Sequence, residues 1–150
     1  MEIIKTKFPQ IKRNHLETLQ INIGYKCNQA CSHCHVDASP SRTEMMSEDI
    51  INLIPKVIKA NNIKMLDITG GAPELHPKFK QLVTEVRSLN VEVMDRCNLT
   101  ILTEKGHENL ASFLASNKVK IVASLPCYIK DNVDKQRGKG VFEKSILALK

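Results

Sequence analysis

Hydrophobic residues along the chain follow two periods in turn, and each period predicts a different element. Short apolar runs predict four strands, at residues 19–23, 65–69, 91–96 and 119–124. Apolar residues three or four positions apart predict four helices, at residues 46–60, 77–89, 107–116 and 141–150. Ser47 is the expected N-cap of the first helix. The inward stripe of that helix is expected to contain Ile50, Ile51, Leu53, Ile54, Val57 and Ile58.

Strands that alternate with helices are typical of an α/β fold with a parallel sheet. We interpret the chain as the first four βα units of a partial parallel barrel, with a core at residues 19–150 and an N-terminal extension at 1–18. Four units cannot close a barrel, so we expect a longer protein. The first strand is separated from its helix by an unusually long segment, which is expected at the carboxyl edge of the sheet, where such folds carry their chemistry.

Composition excludes several classes of protein. Hydrophobic residues make up 42% and charged residues 25%, as in ordinary globular domains, and no apolar run is long enough to span a membrane. The first residues lack an apolar leader, so we expect a cytoplasmic location and no membrane partner. The net charge of +6 comes from scattered lysines and arginines, and only four Phe and two Tyr are available for base stacking, which disfavours a nucleic-acid partner.

Three of the five cysteines, Cys27, Cys31 and Cys34, lie within eight residues and have the spacing Cys-x3-Cys-x2-Cys. Thiolates are soft ligands that suit iron–sulfur clusters, zinc and copper(I). Three thiolates on a four-iron cluster leave one iron open for another ligand. Two alternatives stay open: a zinc site completed by His33 or His35, and haem attachment through the Cys-x-x-Cys-His pattern that ends at His35.

The segments that follow the later strands supply further candidates. Gly70 and Gly71 end the second strand, where glycine permits close approach of the backbone to a ligand, although a plain turn has the same pattern. Cys97 and Cys127 follow the third and fourth strands. A single free cysteine is often only a small buried apolar residue. Two thiols at one edge of a sheet could instead bind a thiophilic substrate or donate a hydrogen atom.

The string Cys-Asn-x-x-Cys-x-His-Cys after a first strand resembles the radical S-adenosylmethionine superfamily. That resemblance implies a 4Fe-4S cluster on Cys27, Cys31 and Cys34, and S-adenosylmethionine as the second cofactor. It implies that the segment Gly70, Gly71, Ala72, Pro73 corresponds to the cofactor-binding Gly-Gly-Glu-Pro element, with Ala72 where glutamate is common. It also implies cofactor contacts for Asn98, Ser124 and Arg137.

A closer resemblance runs from about Leu19 to Leu149. The strings Gly-Tyr-Lys-Cys-Asn-Gln-Ala-Cys-Ser-His-Cys-His-Val-Asp-Ala, Leu-Asp-Ile-Thr-Gly-Gly-Ala-Pro-Glu-Leu and Asp-Arg-Cys-Asn-Leu-Thr are similar to arsenosugar-biosynthesis radical S-adenosylmethionine proteins. This resemblance implies transfer of 5′-deoxyadenosyl to a methylated trivalent arsenical, with Cys97 and Cys127 at the substrate. It also implies an electron donor such as flavodoxin or ferredoxin. The alternatives are a radical enzyme that modifies RNA or a peptide, and a non-enzymatic zinc module.

Overall fold

The computed structural model describes residues 9–12 and 14–150, so half of the predicted N-terminal extension, residues 1–8 and 13, lies outside the described residues. The strands are β1 (Thr18–Asn22), β2 (Met65–Thr69), β3 (Glu92–Asp95) and β4 (Lys120–Ile121). The α-helices are α1 (Glu48–Ala60), α2 (Phe79–Ser88), α3 (Leu110–Ser116), α4 (Lys130–Arg137) and α5 (Val141–Ala148). Short 3₁₀ helices occupy Pro73–Leu75 and Thr100–Thr103.

The four strands form one parallel sheet in the order β1-β2-β3-β4, which confirms the predicted α/β fold. The fourth strand is shorter than predicted, with two residues in regular pairing. Its backbone nevertheless stays bonded to the end of β3: the amide of Val122 donates to the Asp95 carbonyl at 2.9 Å, and that of Ser124 to the Cys97 carbonyl at 3.0 Å. Ser124 is therefore brought to the carboxyl edge, where β1, β2 and β3 also end.

The core lies between the sheet and the helices that cover it. Leu66 and Ile68 of β2 are fully buried, as are Leu82 of α2 and Val93 of β3. In α1 the buried residues are Ile51, Ile54 and Ile58. The predicted stripe on α1 was too wide, because Ile50 is 49% and Leu53 48% exposed. These two side chains lie on the solvent side of a helix whose inward face is only three residues wide.

The helix caps differ from the prediction in one respect. Ser47 is the N-cap of α1, as predicted, but its side chain makes no capping hydrogen bond. The second helix begins at Phe79, two residues after Pro77. The last helix, α5, begins after Gly140, whose φ of 83° lies in the left-handed region that glycine adopts readily.

Helix α4 was not predicted. Only Val133 of this helix is buried, so its sequence lacks the apolar period by which helices are recognised. The helix ends at Gly138, which has a φ of 115°. Its importance lies at its last residue, Arg137, which it carries to the carboxyl edge of the sheet. Among the described residues, no helix is long and apolar enough to cross a membrane.

Candidate functional site at the carboxyl edge of the sheet

One cavity of about 270 Å³ opens at the carboxyl edge of the sheet and collects most of the predicted site residues. The three clustered cysteines line it on one side, and the turn after β2 lines it on another. The predicted residues among its lining are Cys27, Cys31, Cys34, Gly70, Gly71, Asn98, Ser124 and Arg137. Residues from four βα units, far apart in the sequence, therefore meet at one place.

Other predicted residues lie outside this cavity. Ala72 and Pro73 are buried behind the Gly70–Gly71 turn and line a separate small gap. Cys97 is fully buried and makes no part of the cavity wall. Cys127 is partly exposed, three residues beyond Ser124. The role of Cys97 and Cys127 in substrate contact stays a prediction, and the burial of Cys97 weighs against direct contact in this conformation.

Residues 24–34, which carry Cys27, Cys31 and Cys34, are called the cysteine segment below. The turn after β2 contacts this segment through backbone atoms. The amide of Gly71 donates to the Gly24 carbonyl at 3.0 Å, and that of Ala72 to the Lys26 carbonyl at 2.9 Å. A Cβ atom on Gly71 would lie 2.5 Å from the Lys26 carbonyl oxygen, closer than atoms can approach. Gly71 is therefore required by the packing of the two segments, since the residue before Cys27 occupies the space of a side chain.

A network of side-chain amides and a hydroxyl anchors the start of the cysteine segment. The side chain of Asn98 donates through Nδ2 to Cys27 Sγ at 3.6 Å and to Asn28 Oδ1 at 2.8 Å. Its Oδ1 accepts a hydrogen bond from Thr100 Oγ1 at 3.1 Å, which orients the amide. Thr100 Oγ1 in turn accepts from Gln29 Nε2 at 2.7 Å. Asn98 thus contacts a candidate ligand atom directly, which its position after β3 alone did not predict.

The backbone between Asn98 and Thr100 adopts a rare conformation. Leu99 has a φ of 64° and a ψ of −46°, and the Thr100 amide donates to the Asn98 carbonyl at 2.8 Å. These features define a γ-turn of the strained form. Such strain persists only where surrounding contacts over-determine it. Here the turn is held by the packing of the buried Leu99 side chain and by the hydrogen bond from Asn98 to Cys27.

The far end of the cysteine segment is tied to α4. The amide of Ser32 donates to the Gln136 carbonyl at 3.0 Å, and the Ser32 hydroxyl donates to the same oxygen at 3.2 Å. The next residue, Arg137, donates through a terminal guanidinium nitrogen to the Ser124 carbonyl at 2.9 Å. Its Nε is buried and has no hydrogen-bond partner among the described residues. Arg137 therefore retains donor capacity at the wall of the cavity.

Burial and charge act oppositely on the cysteines. Burial raises the pKa of Cys27, and hydrogen bonds from the Gln29 amide and from Asn98 partly offset that effect. Burial also raises the pKa of Cys31, while the positive charge of Arg137 lowers it. A bound cation favours thiolates over thiols, so metal binding releases protons from these groups.

The spread of the three thiols distinguishes between the kinds of metal site. A single zinc ion has bonds of about 2.0–2.3 Å, so all its ligand atoms lie within about 4.6 Å of one another. In the described part of the chain, only Glu74, Asp95 and Cys97 form a group of three such residues within 4.8 Å. The thiols of Cys27, Cys31 and Cys34 line one cavity, but among the described residues they do not form such a group. A 4Fe-4S cluster, whose thiolate ligands bind different iron atoms, does not require the three thiols to meet at one point.

Sequence reasoning overlooked Arg96, which also lines the cavity. Its guanidinium forks onto the Asp67 carboxylate, with Nε 2.9 Å from Oδ1 and a terminal nitrogen 2.8 Å from Oδ2, and Gln20 donates to the same carboxylate. The guanidinium holds the pKa of Asp67 below its usual range. The signal was available, because Arg96 directly follows β3 on the face that Asp67 and Gln20 share across the sheet.

Comparison with known proteins identifies the family. Residues 21–150 match the model of the Radical SAM superfamily. The chain belongs to this superfamily. Its members use a 4Fe-4S cluster and S-adenosylmethionine, and this part of the prediction is confirmed.

Individual relatives differ in their chemistry. The chain is 27% identical over 136 residues to a probable GTP 3′,8-cyclase of Saccharolobus solfataricus, covering 90% of this chain and 43% of that protein. It is 32% identical over 71 residues to the putative peptide biosynthesis protein YydG of Bacillus subtilis, covering 47% of this chain and 22% of that protein. The chain thus spans less than half the length of these radical SAM relatives.

A solved structure confirms the fold. Streptococcus suis SuiB bound to S-adenosylmethionine superposes with a TM-score of 0.70 at 19% identity, covering 89% of this chain and 30% of SuiB. At this level of identity the likeness concerns the fold alone. The relatives that we name do not include an arsenosugar protein, so the finer resemblance is carried only by the strings quoted above.

Proposed function

We propose that this radical SAM chain binds a 4Fe-4S cluster through Cys27, Cys31 and Cys34, and S-adenosylmethionine beside it in the same cavity. The observation that carries the proposal is that the three thiols line one cavity together with Gly70, Gly71 and Arg137, in a chain whose residues 21–150 match the Radical SAM model. When bound, the cluster supplies the electron that cleaves S-adenosylmethionine reductively. That electron requires a donor protein such as flavodoxin or ferredoxin.

The residues of the chain would divide the remaining work. Gly70 and Gly71 bring backbone close to the cavity without side chains, which suits an ammonium group that binds carbonyl oxygens. Arg137 offers the forked donor that suits a carboxylate, and the Ser124 carbonyl holds it in place. Asn98 stabilises the Cys27 thiolate through its hydrogen bond. The assignments of Gly70, Gly71 and Arg137 agree with the positions that the resemblance implies, whereas Asn98 and Ser124, for which it implies cofactor contacts, here support Cys27 and Arg137.

Replacement of Cys31 tests the cluster assignment. We expect the reconstituted chain to hold about four irons and four sulfides, as a 4Fe-4S cluster requires, and Cys31→Ala to lose both. The matched control for iron content is Cys127→Ala, a cysteine outside the cavity. Addition of S-adenosylmethionine should shift the electron paramagnetic resonance signal of the reduced cluster. Full iron and sulfide in Cys31→Ala, or zinc without sulfide in the folded unaltered chain, would contradict the proposal.

For the substrate, we infer that the protein of which these residues form the radical SAM core transfers 5′-deoxyadenosyl to a methylated trivalent arsenical. Trivalent arsenic binds thiols, and Cys127 offers one: hydrogen bonds from the Ile129 amide and from Asn132 lower the pKa of this partly exposed thiol. In the reaction one electron breaks the carbon–sulfur bond of S-adenosylmethionine, methionine leaves, and the 5′-carbon radical forms a bond to arsenic. The adduct then gives one electron back to the oxidised cluster and loses a proton, so arsenic goes from the trivalent to the pentavalent state and the transfer consumes no net electron.

The substrate proposal is tested by incubating the reduced protein with S-adenosylmethionine and a dimethylated trivalent arsenical. We expect mass spectrometry to detect an adenosyl–arsenic adduct that is absent without reductant. Release of 5′-deoxyadenosine with no adduct would contradict the arsenical. A peptide is the second candidate, favoured by the 32% identity to a putative peptide biosynthesis protein. A peptide substrate would give a covalently modified peptide in the same assay.

A further inference from the structure

A second group of metal-binding side chains lies inside the core, apart from the cavity. Glu74 comes from the 3₁₀ helix after β2, Asp95 is the last residue of β3, and Cys97 follows two residues later. One ligand atom from each lies within 4.8 Å of the other two. None of the three lines the cysteine-lined cavity. Asp95 lies on the same face of β3 as Val93, toward the covering helices, whereas Met94 and Arg96 lie on the other face.

The group is buried more deeply than an ordinary acidic cluster. Glu74 is 7% exposed, and Asp95 and Cys97 are 0% exposed. All four carboxylate oxygens of Glu74 and Asp95 are buried without a hydrogen-bond partner among the described residues. Buried carboxylates in native proteins are almost always paired with donors or with a cation. Two unpartnered carboxylates aimed at each other and at a thiol therefore require a common explanation.

Neighbouring charges do not supply that explanation. None of the ion pairs in the described part of the chain includes Glu74 or Asp95. His107 is near enough to lower the pKa of Glu74, but within the described residues it makes no hydrogen bond with it. The nearby Arg96 forms its ion pair with Asp67 and not with Glu74 or Asp95. Burial, followed by the charge of Glu74, raises the pKa of Asp95 to about 9. As free acids, the three groups would be held mostly protonated.

We propose that Glu74, Asp95 and Cys97 form a structural site for one zinc ion. Two carboxylates and one thiolate are a donor set that zinc accepts, with bonds of about 2.0–2.2 Å to oxygen and about 2.3 Å to sulfur. The three ligand atoms already lie within 4.8 Å of one another, close to the limit of about 4.6 Å that two such bonds set. A second carboxylate oxygen completes the four ligands. Binding releases the protons that the three groups carry, so the charges of two carboxylates and a thiolate meet a divalent cation.

A shared proton between Glu74 and Asp95 is the competing explanation. Such a proton would join one oxygen of each carboxyl group, and the Cys97 thiol could donate weakly to Glu74, but at least one carboxylate oxygen would remain without a donor in an apolar interior. A single ion contacts both carboxylates and the thiol together. The site would also link the segment after β2, which carries Gly71, to the segment after β3, which carries Asn98. It would therefore stiffen two walls of the cavity without entering it.

The decisive experiment uses the full chain with its iron–sulfur cluster reconstituted, exposed to zinc sulfate and then to a chelator. We expect about one zinc per chain that survives chelation in the folded protein. Zinc-edge X-ray absorption should give one sulfur neighbour and otherwise oxygen neighbours. Because the method reads zinc alone, iron in the cluster does not interfere. A zinc with three sulfur neighbours would show occupation of the cluster cysteines instead and would overturn the proposal.

Variants provide the second arm. Asp95→Asn and Cys97→Ser should each lower the retained zinc at least roughly tenfold, because alteration of residues that only orient a metal ligand already costs roughly 10–100-fold in affinity. The matched control, Cys127→Ser, should retain it. If Asp95→Asn does not fold, the absorption measurement on the unaltered chain still decides. Absence of zinc from the cluster-loaded chain, with an infrared band of a protonated carboxyl that Asp95→Asn abolishes, would establish the shared proton and refute the metal site.

Discussion

Gly71→Ala is the substitution for which the structure gives the clearest magnitude. The added Cβ would lie 2.5 Å from the Lys26 carbonyl oxygen and 2.9 Å from Ala38 Cβ. Ordinary contact begins near 3.4 Å, so the Lys26 carbonyl must move by about 0.9 Å. Overpacking of this kind costs about 1–3 kcal/mol. Loss of the hydrogen bond from the Ala72 amide to that carbonyl adds about 0.5–1.5 kcal/mol.

We therefore expect Gly71→Ala to lower the free energy of unfolding by about 2–4 kcal/mol, measured by urea denaturation under anaerobic conditions. Because Lys26 precedes Cys27, we also expect the variant to bind less iron. Gly106→Ala is the matched control: a Cβ there meets nothing within 4 Å, so only its φ of 89° adds strain, and iron content should be unchanged. Unaltered stability and full iron in Gly71→Ala would refute the steric argument.

Three further substitutions test separate contacts. Asn98→Ala removes the hydrogen bond to Cys27 Sγ, so the reduction potential of the cluster should fall, as measured by redox titration; an unchanged potential would contradict the contact. Arg96 lowers the pKa of Asp67, so this carboxylate stabilises the fold above its unfolded pKa of about 3.9, and that stability is lost as the pH falls through the folded pKa. Asp67→Asn should therefore flatten the acid side of the stability profile, and an unchanged slope would refute the pairing. Leu82→Ala should cost about 2–5 kcal/mol in urea denaturation, because Leu82 is fully buried, and a loss below about 1 kcal/mol would contradict the core assignment.

The parts that the sequence predicted correctly were those with a strong local signal. The alternation of periods located all four strands, and Met65–Thr69 matches β2 to the residue. The cysteine spacing and the glycine pair could be recognised from the sequence because thiolates bind metals and glycine permits close approach of the backbone to a ligand. Parallel topology then placed these segments at one edge, because parallel strands end on the same side.

The features that could not be predicted from the sequence depend on contacts between segments that are distant in the chain. Helix α4 has almost no apolar period, since only Val133 packs inward. Its end is held in place by the hydrogen bond from Ser32 to the Gln136 carbonyl. The 71-residue separation between Asn98 and Cys27 hides their contact from any local pattern. The convergence of Glu74 with Asp95 likewise required the register of β2 against β3. Such features are set by packing and not by local propensity.

The hydrogen bonds from Ser32 to the Gln136 carbonyl bear on when the metal site is completed during synthesis of the chain. These residues are 104 positions apart, so the cysteine segment leaves the ribosome long before the helix that completes it. Folding of the intervening strands shortens the span that must be closed and so lowers the entropic cost of this contact. Until then Cys27, Cys31 and Cys34 are unassembled thiols, open to oxidation and to the wrong metal. We therefore expect iron to be held firmly only after α4 is in place, and a chain halted before Gln136 to retain less iron than the chain that includes it.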